Sequence, residues 1–147
     1  MKIKTKTFSS SLELFCYPDT LLNKFIPQAW QIFIMKSFIS EYKKKISFYT
    51  GESHKTYKKM TLLKKKLNEN PKLHGFVFFS FLQFCYDKKD NLKIMEECIK
   101  KNYTIYLARE KLVITSMAEY KKKKIDFFYF TKTNRNLIKS ILENFKY

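Results

Sequence analysis

The run from Leu73 to Phe84 most constrains what this chain can fold into. It reads Leu73-His74-Gly75-Phe76-Val77-Phe78-Phe79-Ser80-Phe81-Leu82-Gln83-Phe84, and past His74 only Ser80 and Gln83 interrupt its apolar character. A strand that must bury both of its faces belongs inside a covered, largely parallel sheet. About ten residues fall well short of the roughly 20 that a bilayer span requires. Ligands in open α/β sheets gather where the strands run out. Ser80 and Gln83 therefore mark an edge to follow.

Shorter elements alternate around that run. Leu12 to Tyr17 reads as a first strand, stopped by Pro18-Asp19. Pro27 suits the first turn of a helix. Ile26, Trp30, Phe33, Ile34, Phe38 and Tyr42 repeat at the spacing of one helical face, which predicts that this stripe packs inward. Ile46 to Tyr49 is a second strand, closed by Thr50-Gly51. Tyr57, Met60, Leu63 and Leu67 line a second helix that ends at Asn70-Pro71. The apolar run supplies a third strand over 74–84. Asp87 or Asp90 then caps a helix carrying Leu92, Met95, Cys98 and Ile99. Tyr103 to Leu107 is a fourth strand, and Leu112 to Ile114 a short fifth. Such alternation implies right-handed βαβ crossovers.

The expected fold is therefore α/β: one domain over 1–147, with a mostly parallel four- or five-stranded sheet and helices on both faces. A flavodoxin-like or resolvase-like arrangement fits, with strand 74–82 central. Residues 126–147 form a C-terminal extension. Ser116 and Glu119 give a capping-box pattern for a helix running towards Lys124, the aromatic patch Ile125 to Phe130 is ambiguous, and a closing helix starts at Asn134. Leu137, Ile138, Ile141, Leu142 and Phe145 fall on one side of that helix, which must pack on the domain or on a protein partner through 134–147.

The 147 residues carry 30 Lys and Arg against 13 Asp and Glu, a formal net charge of +17. Such a charge suits nucleic acid or an anionic surface. Only Arg109 and Arg135 are arginines, however, and arginine is the usual bidentate reader of phosphates and bases. Lysine runs are scattered along the chain, and abundant Lys, Asn, Ile, Phe and Tyr match the coding bias of an AT-rich genome. Any nucleic-acid binding is expected to be weak and non-specific. The aromatics Phe127 to Phe130 beside Lys121 to Lys124 could stack bases, or could be a buried segment after a solvated helix end. Cys16, Cys85 and Cys98 have no metal spacing and read as buried or free thiols in a reducing compartment. The basic N-terminus lacks the apolar core of a signal peptide. A cytoplasmic protein without a membrane span is expected.

Chemistry is sparsely signed. There is no phosphate-cradling glycine loop among only two glycines, no zinc-protease motif and no nucleophile elbow. His54 and His74 sit in different elements; His74 leads into a buried strand and is expected to be structural or solvent-facing. No catalytic residue, metal or cofactor is assigned. The candidate ligand site is the strand carboxyl edge: Tyr17, Glu52, Ser80, Gln83, Arg109 and Glu110, with Gln28 in the first turn of the first helix, whose N-terminus favours an anion. Strand-end polars carry little core packing, so alanine at Gln83 or Glu110 is expected to leave the fold nearly intact.

Three stretches carry a family resemblance. They are Ile26-Pro27-Gln28 with the helix through Phe38-Ile39-Ser40-Glu41-Tyr42, the run Leu73 to Phe84, and Ile105-Tyr106-Leu107-Ala108-Arg109-Glu110-Lys111-Leu112-Val113-Ile114. Their order resembles the sporadic carbohydrate cluster proteins, small α/β proteins encoded among bacterial surface-polysaccharide genes, over roughly residues 12–125. That family commonly has an acidic residue where His74 stands and a proline where Cys85 stands, and Phe127 to Tyr147 is additional. The family in turn faintly resembles the serine recombinase catalytic domain. Those enzymes need a serine ending the first strand and several arginines, whereas this strand ends Cys16-Tyr17-Pro18 and the first arginine is Arg109.

The resemblance implies an accessory protein of bacterial surface-carbohydrate biosynthesis. Such a protein would bind a sugar, a nucleotide-sugar or a partner enzyme at the carboxyl edge, without hydrolysis. The alternatives are a basic nucleic-acid-binding module of degenerate recombinase-like fold, and a structural subunit docking through its C-terminal helix.

Overall fold

The computed structural model describes residues 13–53 and 55–143, and not the side chains of Phe48 and residues 88–90. Leu12, His54, the capping carboxylate of Asp90 and Phe145 lie outside the described residues. The strands are β1 (Glu13–Tyr17), β2 (Lys45–Tyr49), β3 (Gly75–Phe78), β4 (Thr104–Leu107) and β5 (Leu112–Ile114). They form one sheet in the order β2-β1-β3-β4-β5, with the first four parallel and β5 antiparallel to β4. This is the strand order of flavodoxin-like doubly wound sheets with its last strand reversed. β3 is central, and all four of its residues are buried.

The helices are α1 (Gln28–Ser40), α2 (Thr61–Asn68), α3 (Leu82–Cys85), α4 (Lys88–Lys100), α5 (Met117–Thr133) and α6 (Arg135–Glu143). Side chains of successive strand residues point to opposite faces, and β1 uses both. Cys16 meets Met35 of α1, 3.7 Å between sulfurs. Its neighbour Phe15 lies under the Lys66 ammonium of α2. Helices thus cover both faces. α4 lies beside α2, where Lys101 Nζ donates to the Leu67 carbonyl. None of the helices among the described residues is long and apolar enough to cross a membrane.

The apolar run departs from a single long strand. β3 stops at Phe78, the chain turns at Phe79-Ser80, and Leu82 to Cys85 make one helical turn. Phe81 stays buried because α5 covers it, with the Phe127 ring stacked on it at 4.1 Å and Phe130 edge-on, and Phe84 packs edge-on against Phe78 at 4.8 Å. An apolar run records burial, and periodicity alone does not say whether strand or helix is buried. The ambiguous aromatic patch is likewise the middle of one continuous helix, α5. Its start is as the sequence indicates, with Ser116 Oγ accepting from Glu119 N–H at 3.2 Å. Asp87 sits at the start of α4 but caps it with no side-chain bond, pairing instead with Lys59 at 2.9 Å.

α1 forms where expected but turned the other way. Its buried residues are Gln31, Met35, Phe38 and Ile39, while Trp30 and Phe33 are 68% and 71% exposed. The predicted stripe took the aromatics for the inner face, yet the contact with Cys16 and Tyr106 selects Met35 and Phe38. α6 lies against the 3-10 turn Leu21–Lys24 that follows β1. Its Ile138 and Ile141 are buried within the chain itself. The closing helix therefore packs Ile138 and Ile141 on the domain, whereas Leu137, expected on the same side, is exposed.

Gly75 explains how closely β3 and β4 approach. A Cβ there would stand 1.9 Å from the Thr104 carbonyl oxygen. Overpacking of that severity cannot be relieved by a rotamer change, since the obstacle is backbone. Gly75→Ala is expected to cost about 3 kcal/mol or more. Urea denaturation reads this directly, and an unchanged midpoint would show that the strands can separate at no cost.

Candidate functional site

The crossovers bring the carboxyl ends of β1, β3 and β4 together, and each end leaves backbone groups that burial forces to find partners. Gln83 serves two ends at once. Its Oε1 accepts from the N–H groups of Phe79 at 2.8 Å and Ser80 at 3.3 Å. Its Nε2 donates to the Tyr17 carbonyl at 3.1 Å. Glu110, just past β4, holds the same turn from the other side. Ser80 Oγ donates to Glu110 Oε2 at 2.6 Å, and Phe81 N–H donates to Oε1 at 3.1 Å. Arg109 Nη1 reaches Ser80 Oγ at 3.5 Å, and its guanidinium lies over the Phe130 ring.

A second cluster lies beyond Tyr17. The Tyr17 hydroxyl donates to Glu52, and the two Glu52 oxygens also accept from Leu62 and Leu63 N–H, each at 3.1 Å. These amides belong to the first turn of α2, where the helix dipole favours a carboxylate. Asp19 works the same way on the 3-10 turn, accepting from Leu21 and Leu22 N–H, while its other oxygen accepts from the Tyr86 hydroxyl at 2.7 Å. Gln31 locks Asp19 in place: its Oε1 accepts from Asp19 N–H at 2.7 Å and its Nε2 donates to the Asp19 carbonyl at 2.9 Å.

Six of the seven predicted site residues thus belong to one connected network. Tyr17 bonds Glu52 and Gln83, and Ser80 bonds Glu110 and Arg109. Gln28 stands apart, exposed on the first turn of α1. The residue of that helix that faces the edge is Gln31. Its signal in the sequence was a polar residue on the Met35, Phe38 and Ile39 stripe. Tyr86 and Arg135 were also overlooked. Tyr86 had no neighbouring motif, and Arg135 stands at the start of the closing helix expected from Asn134, where nothing in the sequence linked it to the sheet edge.

The arrangement is closed rather than open. Tyr17, Asp19, Glu52, Ser80 and Gln83 are all buried. The cavity that Tyr17, Asp19, Glu52 and Gln83 border with Tyr57 and Tyr86 measures about 10 Å³, room for one water at most. Space for a ligand lies outside it, against the C-terminal extension. A cavity of about 360 Å³ is lined by Cys85, Phe128, Thr131, Lys132, Arg135 and Ile138. A second, of about 420 Å³, shares Arg135 and Ile138 and adds Tyr57, Lys58 and Lys139. Arg109 meets α5 at Phe130, whereas this groove is lined from α5 by Phe128, Thr131 and Lys132.

None of the thiols is an activated nucleophile. All three cysteines are free and buried, and burial pushes Cys16 up to about 12 and Cys98 higher still. His74 is structural, its Nε2 within 2.9 Å of the Tyr106 hydroxyl, and burial, aided by Lys44, lowers its imidazole to about 4. Burial raises Asp19 to about 6, against the opposing pull of Tyr86, Leu22 and Leu21.

Two expectations follow from this geometry. Gln83→Ala would leave two buried N–H groups and a carbonyl without their partner, at about 1–3 kcal/mol for each group left unpaired. This reverses the reading from sequence that the position is dispensable for folding. A loss of at least about 2 kcal/mol in a urea titration is expected, and a neutral result would show that water replaces the amide. The second concerns pH. Asp19 titrates about two units higher folded than unfolded, so it contributes about 3 kcal/mol at low pH that is lost as pH rises from about 4 to 6. His74 has the opposite sign, its contribution being lost as pH falls from about 6.5 towards 4. Relative to the parent chain, Asp19→Asn should gain stability as pH rises through this window, and His74→Gln as pH falls. Parallel stability profiles for both variants and the parent would contradict the assignment.

No protein-family model, curated protein or solved structure matches this chain.

Proposed function

We propose that this protein is a cytoplasmic accessory protein of bacterial surface-carbohydrate biosynthesis that binds a nucleotide-sugar without hydrolysing it. The reading is carried by the groove of Lys132 and Arg135 on the C-terminal helices α5 and α6. Its volume of about 360 Å³ falls in the usual range for small-molecule sites. Arg135 can take a diphosphate in bidentate fashion, and Lys132 adds a second cation to the same lining. Glu110 is half-buried just past β4 and is suited to accept from sugar hydroxyls. Ser80 is fully buried, and the carboxylate that accepts its proton, Glu110, is also held by Phe81 N–H, so the pair is spent on the turn and binding without covalent chemistry is the better match.

Thermal unfolding in the presence of a UDP-hexose tests the proposal. A ligand held at about 100 times its Kd adds about 2.7 kcal/mol to stability. The UDP-hexose should raise the melting temperature more than UDP alone, and the free hexose should have little effect. Arg135→Ala should remove the response. If the UDP-hexose gives no shift while a DNA duplex gives a large one, the basic surface serves nucleic acid and the proposal fails.

A further inference from the structure

A second surface lies on the far side of the sheet order from this groove. β2 is an edge strand: β1 pairs along one side of it, and among the described residues no strand lies along the other. Between β2 and α1 runs a cavity of about 390 Å³ lined by Lys36, Ile39, Lys44, Lys45, Ile46 and Tyr49, together with Ser40. Every charged side chain in that lining is a lysine. The Lys36 ammonium sits 5.1 Å from the Tyr49 ring centroid, and Tyr49 is 44% exposed. Phe33 and Trp30 continue the row of Lys36 and Ser40 towards the start of α1, one and two turns on, and both are largely exposed.

From this we infer that the β2 edge and the α1 groove dock an acidic, extended segment of a partner protein by strand addition. An open edge offers main-chain hydrogen bonds to an incoming strand, and the adjoining groove offers pockets for alternate side chains. Charge selects the occupant. Lys45 on the edge strand, with Lys44 just before it, opposes pairing with a second copy, whose own lysines would face it, and the chain as a whole carries +17. The same lysines attract a segment rich in Asp and Glu. Aromatic side chains left in water at Trp30, Phe33 and Tyr49 are the residue types that anchor protein interfaces. This docking surface is independent of the proposed nucleotide-sugar groove, since it shares no residue with it.

The experiment uses the whole chain and a fluorescein-labelled octapeptide alternating Glu with Val, with a peptide alternating Lys with Val as control. Fluorescence anisotropy should show saturable binding of the Glu peptide and none of the Lys peptide. Trp30 is the chain's one tryptophan, and its emission should change on binding. The double variant Lys36→Glu with Lys45→Glu should weaken binding at least about tenfold. Lys121→Glu with Lys122→Glu, on exposed α5, should change it less than about twofold. Equal weakening by the two double variants would mean diffuse attraction to a basic protein and would overturn the inference. So would absence of binding, a concentration-dependent dimer abolished by Lys36→Glu with Lys45→Glu, or a DNA duplex that displaces the peptide while its own binding is weakened by that variant.

Discussion

Parallel strands that end beneath helices create a problem that the rest of this structure is arranged around. Their last N–H and C=O groups are buried, and a buried backbone group without a partner costs as much as a lost hydrogen bond. One amide, Gln83, answers for β1 and β3 together through its contacts to Phe79, Ser80 and Tyr17. Glu110, just past β4, holds the turn that follows β3 through the Ser80 hydroxyl and the Phe81 N–H. Because each side chain spans two strand ends, removing one disturbs the register of both. The turn after Phe78, the single turn of α3 and the placement of Phe81 under α5 all follow from where these two side chains pull the chain.

Much of the architecture was legible because it is local. Pro18-Asp19, Thr50-Gly51 and Asn70-Pro71 punctuate the chain, Ser116 and Glu119 sign the start of α5, and the two-sided apolarity of Phe76 to Phe78 places β3 in the centre. What was illegible depends on partners distant in sequence. The orientation of α1 is one case: Trp30 and Phe33 look like core residues by type, and only the contact of Met35 with Cys16 shows that the helix turns them outward. The extent of β3 is another. Phe81 is as apolar as Phe76, but it is covered by Phe127 and Phe130, far downstream in the sequence.

The candidate site was half legible for the same reason. Strand-end logic picked Tyr17, Glu52, Ser80, Gln83, Arg109 and Glu110, which do converge. It could not tell a residue that waits for a ligand from one that completes the fold. Gln83 and Ser80 are spent on the protein's own backbone, and Glu52 and Asp19 hold the amides that open α2 and the 3-10 turn. Burial decides between the two roles, and burial here is set by α5 and α6, the part of the chain with the least informative sequence.

That extension also relocates whatever recognition the edge performs. In an open doubly wound sheet the crevice lies directly above the strand ends. Here α6 packs on the turn after β1 and α5 seals Phe81, so the crevice is filled by protein. The accessible cationic groups, Arg135 and Lys132, are supplied by the covering helices themselves. Arg109 connects the two levels, with one face on Phe130 and one nitrogen at Ser80. A ligand drawn to Arg135 would therefore press on α5 and α6 before it met any strand residue.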